Sequence, residues 1–183
     1  MKGGKVAKEK LDRMEESLFR VVAARGNYLG QDRMDMQFAA KEVSRFTSKP
    51  EEQDWSSAKR SARQLKDNKR VVIEYKFQRM PEKVVAWSDT DFAGCKRARR
   101  STSGGVVMLG GHCVKTYSQT QETIALSSGE SEFYGIVKAA TMGLGVKGLL
   151  DDLGVEVKVQ VNADSSAAKS IASRRGAGGS AAH

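Results

Sequence analysis

The spacing of apolar residues changes near residue 70, and this change constrains the fold more than any other feature. Before it, apolar residues recur every three or four positions, the period of one helix face, as in Leu11, Met14, Leu18 and Val22. After it, apolar residues form short runs or alternate with polar ones, as over residues 155–161, where every second residue is valine. The sequence therefore predicts a helical first part and a second part that contains a sheet.

Three helices are expected in the first part. Gly26 and Gly30 predict an interruption of the first helix, because glycine weakens a helix interior. The second helix is expected after Asp32, and the third after Pro50, which suits a first helical position. The third helix has a basic face, which is either solvated or a contact for a nucleic-acid backbone, and which comprises Lys59, Arg60, Arg63 and Lys66.

Alternating strands and helices are expected in the second part. A strand over residues 71–77 is predicted to precede a domain boundary at 78–83. The elements expected beyond it are a strand over 84–89, a hairpin over 103–110 and 113–118, a helix over 127–150, a strand over 156–162 and a helix over 165–172. The fold class is therefore α/β with the order β-β-β-α-β-α. We divide the chain into a helical region over 1–80, an α/β domain over 81–178 and a disordered tail over 179–183.

The long helix of the second part has a weak apolar pattern. Ser127 or Ser128 is its expected cap. Several glycines follow, and we expect a kink or an early end near Gly143. The residues expected to face the sheet are Phe133, Ile136, Val137, Ala140 and Leu144.

Composition narrows the classes of function. The 183 residues carry a net charge of +9, which favours acidic partners such as nucleic acid, although solubility alone is an equally good explanation. The two cysteines, Cys95 and Cys113, have no spacing typical of a zinc site or a disulfide scaffold. There is no stretch of 18 apolar residues and no apolar signal core, so we expect a soluble, intracellular protein without a membrane partner.

Three acidic residues stand where predicted strands and helices begin or end. Asp89 closes the strand over 84–89, Glu132 lies in the first turns of the long helix, and Asp164 follows the strand over 156–162. Carboxylates at the carboxyl ends of neighbouring strands can converge, and converged carboxylates bind divalent metal. Asp91 and Glu130 are close to them in sequence but are expected to point elsewhere.

A basic loop follows Asp89. It contains Lys96, Arg97, Arg99 and Arg100, which form either a solvated loop or a patch that holds a nucleic-acid strand. Ser101 and Ser103 come next, with hydroxyls that either contact phosphate oxygens or serve the turn before a strand.

Four sequence blocks, taken together and in order, closely resemble one family. They are Ser-Asp-Thr-Asp-Phe-Ala-Gly at 88–94, Arg-Ser-Thr-Ser-Gly at 100–104, the block from Gln121 to Phe133 that contains Ala-Leu-Ser-Ser-Gly-Glu-Ser-Glu, and Asp-Ser-Ser-Ala at 164–167. The family is the ribonuclease H domain of Copia-type (Pseudoviridae) retrotransposon Pol polyproteins. Residues 24–35, 44–46, 50–55 and 59–66 are similar to the family's tract that connects reverse transcriptase to ribonuclease H, so that the resemblance extends over about residues 11–178.

The resemblance implies both a fold and an activity. It implies a ribonuclease H-like mixed sheet, and metal-dependent hydrolysis of RNA in RNA–DNA hybrids. Asp89, Glu132 and Asp164 would be the catalytic residues and the ligands of Mg²⁺, with Mn²⁺ as a substitute. The implied partners are an RNA–DNA hybrid and the reverse-transcriptase palm of the same polyprotein. The implied location is a cytoplasmic virus-like particle or the nucleus, and not outside the cell.

The sequence departs from the family after Asp164. The family has a fourth acidic residue on a later helix, whereas no aspartate or glutamate follows Asp164 here. We therefore expect a C-terminally truncated domain that lacks the last strand and helix, with activity that is weak or lost. The alternative is a catalytically inactive retrotransposon remnant that binds nucleic acid weakly or not at all. Gly129 and Gly135 also replace residues that are better suited to a helix.

Overall fold

Two separate apolar clusters organise the chain. The computed structural model describes residues 11–95 and 97–173, and it divides into a unit up to Glu74 and a unit from Tyr75. We call these the helical unit and the sheet unit. The core of the helical unit contains Phe19, Ala23, Val43 and Ala58; the core of the sheet unit contains Val84, Ala86, Val107, Ala139, Leu150 and Val157.

The helical unit contains the three predicted helices. They are α1 (Arg13–Asp32), α2 (Gln37–Ser44), which follows a single 3-10 turn (Met34–Met36), and α3 (Glu52–Asp67). Capping boxes start α1 and α3, because the side chains of Asp12 and Glu51 accept backbone hydrogen bonds there. The predicted interruption of α1 is wrong. The helix passes through Gly26 and Gly30, and a Cβ on Gly30 would lie 3.5 Å from the Ala40 Cβ of α2, an ordinary van der Waals contact.

Residues 68–82 contain no helix or strand, so the strand predicted over 71–77 is wrong. Its side chains remain in solvent: Val72 is 72% exposed and Phe77 is 99% exposed. A strand in a sheet normally buries one face, whereas the large apolar side chains of this segment are exposed. Gln78 instead binds the tip of a hairpin, donating to the Leu109 carbonyl at 2.8 Å and accepting from the Gly111 N–H at 2.9 Å.

The sheet unit follows the predicted order β-β-β-α-β-α. Its elements are β1 (Lys83–Asp91), β2 (Thr102–Leu109), β3 (His112–Thr120), α4 (Ser128–Asp152), β4 (Lys158–Ala163) and α5 (Ser166–Ala172). The strands form one mixed sheet in the order β3-β2-β1-β4, in which β1 and β4 are parallel and the other pairs are antiparallel. The prediction of an α/β fold is confirmed, and the arrangement is compatible with a ribonuclease H-like fold.

Small residues determine which face of α4 packs on the sheet. Ser127 caps the helix as predicted, its hydroxyl accepting from the Glu130 N–H at 3.1 Å. The predicted core face is partly wrong, because Val137 and Leu144 are 48% and 58% exposed. The buried positions are instead occupied mainly by small residues and one leucine: Ser131, Gly135, Ala139, Gly143 and Leu150, together with Glu132.

The early end predicted near Gly143 is also wrong, since α4 continues to Asp152. A Cβ on Gly143 would lie 2.9 Å from the Val159 Cγ1 and 3.5 Å from the Ala86 Cβ. The glycine therefore allows the helix to approach β1 and β4 closely, and this packing outweighs the weak helix propensity. No helix among the described residues has the length and apolar content needed to cross a membrane.

Candidate metal centre

The three acidic residues singled out in the sequence meet near the carboxyl ends of β1 and β4. Asp89 lies in β1, Glu132 lies in the first turns of α4, and Asp164 directly follows β4. In the parallel pair β1 and β4, Ser88 lies opposite Ala163. Asp89 and Asp164 directly follow these two residues, so they lie next to each other on neighbouring strands. One carboxylate oxygen from each of the three residues lies within 4.8 Å of the others.

Glu132 is the buried member of this cluster, whereas the two aspartates are exposed. Burial raises the pKa of the Glu132 carboxyl, and the neighbouring charges of Asp164 and Asp89 raise it further. Its Oε2 is buried and makes no hydrogen bond to any residue that the structure describes. Asp89 is better satisfied, since its Oδ1 accepts from the Thr90 N–H at 2.9 Å.

This donor set fits a divalent cation. Carboxylate oxygens are the hard ligands that Mg²⁺ and Mn²⁺ prefer. A buried carboxylate oxygen without a partner, facing two like charges, is unfavourable without a cation. A cation held by Asp89, Glu132 and Asp164 would relieve both penalties.

A cleft of about 330 Å³ opens beside the two aspartates. Trp87 lines it and is 52% exposed. This residue was missed from the sequence, although a signal was present. Trp87 and Asp89 are two positions apart on one strand, so their side chains share a face of the sheet.

Gln121 anchors the start of α4 and was also missed. Its buried Nε2 donates to the Ser103 Oγ and to the Ser131 carbonyl, both at 2.9 Å. These bonds tie the N-terminal turns of α4, which carry Glu132, to β2. The position of Gln121 in a recognised block was its only sequence signal, because its two partners are distant in the chain.

The hydroxyls of Ser101 and Ser103 make hydrogen bonds within the sheet unit. Ser101 is 1% exposed and accepts from the Ala93 N–H at 3.1 Å; Ser103 is 4% exposed and accepts from Gln121. These contacts agree with the alternative in which the serines stabilise the turn and the strand. A role of these two residues in nucleic-acid binding stays a prediction.

The basic loop connects β1 to β2, and this connection starts at Phe92, three residues after Asp89. Arg97, Arg99 and Arg100 are exposed, and Lys96 lies outside the described residues. The loop is closed by hydrogen bonds from the Arg99 N–H to the Cys95 carbonyl at 2.7 Å and from the Cys95 N–H to the Arg100 carbonyl at 3.2 Å. The loop therefore lies at the carboxyl end of β1, the same end of the strand as Asp89.

The two basic residues predicted in the helical unit are surface residues of α3. Lys59 and Arg63 are exposed. The Lys59 Nζ lies 4.0 Å from Glu52 and 5.6 Å from the centroid of the Trp55 ring. These contacts are typical of a solvated helix face, and the nucleic-acid role of these two residues stays a prediction.

Asp91 and Glu130 have local structural roles. The carboxyl of Asp91 lies against the Gly94 Cα, where no Cβ would fit. Glu130 accepts from the Leu126 N–H at 2.7 Å and from the Tyr134 hydroxyl at 2.9 Å. The hydrogen bond to Glu130 raises the pKa of Tyr134. The expected tail at 179–183 lies outside the described residues.

Known proteins resemble this chain over much of its length. Secreted RxLR effector protein 161 of Plasmopara viticola is 37% identical over 107 residues, which cover 58% of this chain and 75% of that protein. The chain belongs to the same family as that protein. No protein-family model matches the chain, and no solved structure matches it.

Transposon polyproteins are related to the chain at lower identity. The retrovirus-related Pol polyproteins from transposons RE2 and RE1 of Arabidopsis thaliana are 27% and 29% identical over 139 residues each, or 76% of this chain. The matched segments span 10% and 9% of those polyproteins. The protein is therefore derived from a retrotransposon Pol polyprotein.

Proposed function

We propose that the sheet unit is a ribonuclease H-type nuclease that hydrolyses RNA in RNA–DNA hybrids, as part of a retrotransposon polyprotein. The observation that supports this best is the convergence of Asp89, Glu132 and Asp164, whose carboxylate oxygens lie within 4.8 Å of one another. The four sequence blocks and the Pol relatives favour a nucleic-acid substrate over other phosphate esters.

Each residue of the site has a distinct part in this proposal. Bound Mg²⁺, or Mn²⁺ in its place, supplies an activated water and stabilises the leaving oxygen. Glu132 is held in the first turns of α4 and provides a ligand from the protein interior. Asp89 and Asp164 provide ligands from the exposed side, where a phosphodiester can approach.

The surroundings of the carboxylates would orient the hybrid. Trp87 lines the cleft and offers an apolar face to a sugar or a base. Arg97, Arg99 and Arg100 would neutralise backbone phosphates at the same edge of the sheet. The 2′-hydroxyl would distinguish the RNA strand from the DNA strand.

Partners and location remain proposals. The reverse-transcriptase palm of the same polyprotein is the expected protein partner, and a cytoplasmic particle or the nucleus is the expected location. The name of the Plasmopara viticola relative says that that protein is secreted. Fractionation of cells that express this chain would show whether it is found in cytoplasmic particles or in the nucleus.

A cleavage assay tests the activity. The 183-residue chain is incubated with an RNA–DNA hybrid, in which the RNA is labelled, in Mg²⁺, Mn²⁺ or EDTA, with single-stranded RNA and duplex DNA as control substrates. We expect weak cleavage of the RNA in the hybrid alone, which EDTA abolishes and which the isosteric variant Asp89→Asn reduces by about 100-fold or more. Cleavage that survives in Asp89→Asn would overturn the proposal.

Calorimetric titration with Mg²⁺ separates the proposal from its alternative. Only three carboxylates converge among the described residues, and for that reason we expect slow turnover. Saturable Mg²⁺ binding without cleavage would identify an inactive remnant that has kept its metal site. The metal site itself would be overturned if the chain did not bind Mg²⁺, or if Asp89→Asn bound it as well as the wild type does.

A further inference from the structure

We propose that Gly135 is a positioning residue that fixes the depth of α4 on the sheet and thereby adapts the carboxylate cluster to small cations such as Mg²⁺. This inference rests on the proposed metal site and adds a residue that controls its selectivity. In sequence terms Gly135 is only a weak point in a helix. Its surroundings give it a specific role.

Gly135 is buried where α4 crosses β1. A Cβ on this residue would lie 2.7 Å from the Ser88 Oγ and closer still to the Thr90 Oγ1. Ser88 and Thr90 are the two neighbours of Asp89 in the sequence. The helix can therefore approach the strand that carries Asp89 this closely only because residue 135 has no side chain.

The position of Glu132 depends on this contact. Glu132 precedes Gly135 by three residues on the same helix, or about 4.5 Å along the axis. The Gln121 side chain holds the turn on the other side of Glu132 through the Ser131 carbonyl. The glutamate thus lies between two fixed contacts, and neither contact uses the Glu132 side chain.

An added methyl group at residue 135 would not be absorbed easily. Thr90 is β-branched and has few alternative side-chain conformations, and its Oγ1 is already buried. Both hydroxyls would have to move together, so the simplest relief is for α4 to move away from β1. This movement would carry Glu132 away from Asp89 and widen the cluster.

A wider cluster favours larger cations. Mg²⁺ requires oxygen ligands at about 2.0–2.1 Å in near-octahedral geometry, whereas Ca²⁺ accepts about 2.3–2.6 Å with flexible geometry. Cation selectivity is therefore a readout that separates positioning from a general loss of stability. A glycine needed only for packing would change the stability and leave the preference for Mg²⁺ over Ca²⁺ unaltered.

The same helix offers matched controls. Gly143 is also tight, with a Cβ position 2.9 Å from the Val159 Cγ1, but it is eight residues beyond Gly135 and about 12 Å farther along the axis. Gly145 has open space, because within the described residues only the adjacent part of its own helix lies within 4 Å of its Cβ position. The three Gly→Ala variants therefore compare a tight contact beside the site, a tight contact far from it and no contact.

The experiment is calorimetric titration of the full chain and these variants with Mg²⁺ and, separately, with Ca²⁺, together with thermal melts followed by circular dichroism. We expect Gly135→Ala to weaken Mg²⁺ binding by about tenfold and Ca²⁺ binding much less. Gly143→Ala should lower the melting temperature but keep the selectivity, and Gly145→Ala should keep both or raise the melting temperature. Adding Ser88→Ala and Thr90→Ala to Gly135→Ala removes the two obstructing hydroxyls and should restore the selectivity.

The outcomes distinguish this inference from the proposed function. If the wild-type chain does not bind Mg²⁺, the metal site itself fails. If the wild type binds Mg²⁺ and Gly135→Ala shows the same preference over Ca²⁺, the positioning role is wrong and the metal site stands. If Gly135→Ala does not fold, Ser88→Thr adds bulk to the same contact from the strand, and an unchanged preference in that variant would overturn the inference.

Discussion

The two units of this protein treat polar residues in opposite ways. In the helical unit the single buried polar residue among those described is Asp54, which belongs to the capping box of α3. The sheet unit buries many polar side chains: Ser88, Ser101, Thr102, Ser103, Gln121, Ser131 and Glu132. Burying polar groups is unfavourable unless they are hydrogen-bonded or serve a site. In the sheet unit Gln121 is hydrogen-bonded to Ser103 and Ser131, and Glu132 belongs to the carboxylate cluster.

The net charge also differs between the two parts of the chain. Residues 1–80 carry 19 Lys/Arg and 12 Asp/Glu, a net charge of +7, whereas residues 81–183 carry 12 and 10, a net charge of +2. Within that region, Lys59, Arg60 and Arg63 lie on an exposed face of α3. The nearly balanced region gathers three negative charges at one point, because the topology brings distant strand ends together. Total charge therefore says less about a site than the convergence of residues does.

Phe19→Ala tests whether the two cores are independent, and it has the largest expected effect. Phe19 is fully buried, with its ring centroid 6.0 Å from that of Trp55. Its loss should destabilise the helical unit by about 3–5 kcal/mol. Mg²⁺ binding by the sheet unit should be unchanged, as measured by titration and thermal melts. Val107→Ala, in the other core, should weaken Mg²⁺ binding, and a loss of Mg²⁺ binding in Phe19→Ala would show that the units depend on each other.

Charge reversal compares the basic residues of the two units. Arg99→Glu combined with Arg100→Glu should weaken binding to an RNA–DNA hybrid by about tenfold at low salt, because both residues lie at the edge that carries Asp89. Lys59→Glu combined with Arg63→Glu should have a smaller effect. Fluorescence anisotropy across a salt series measures both. An affinity that does not change between low and moderate salt would contradict the proposed interface.

Gly148→Ala should stabilise the sheet unit by about 1 kcal/mol, because alanine is the better helix former. A Cβ at Gly148 would have open space around it, since among the residues that the structure describes only its own stretch of α4 lies within 4 Å. A denaturant titration of the variant and the wild type measures the change. A loss of stability would mean that this face of α4 is covered in solution.

The smallest expected effect is a dependence on pH in EDTA. The pKa of Glu132 is raised above its ordinary 4.5, so the folded protein binds this proton more tightly than the unfolded protein does. Stability should therefore increase as the pH falls through the raised value towards 4.5. Glu132→Gln should be the more stable protein at neutral pH, and the difference should diminish in more acidic solution.

Thermal melts of the wild type and of Glu132→Gln across this pH range provide the measurement. The contributions of titratable groups that both proteins share cancel in the difference between their stabilities. Added Mg²⁺ should reverse the order at neutral pH, because only the wild type retains the buried ligand. A wild type that is more stable than Glu132→Gln in EDTA at neutral pH would contradict the unfavourable burial of this carboxylate.

The order of elements, the cap at Ser127 and the three acidic positions follow from the amino-acid sequence alone. Each of these depends on signals that act within a few residues: the period of apolar side chains, a capping hydroxyl, or a carboxylate at the end of a strand. Such signals do not depend on which other segment lies nearby. The local sequence is therefore sufficient to locate these features.

Contacts between distant segments decide which surfaces meet, and these were not predictable from the sequence. In the described part of the chain residues 71–77 form no strand, Ser101 and Ser103 are buried, and Gly135 rather than Val137 lies against the sheet. The sequence pattern favoured the larger apolar side chains of α4 for the core, but close approach to β1 and β4 required the smallest ones. Packing depends on the shape of residues that are distant in the chain, and hydrophobic periodicity carries no information about that shape.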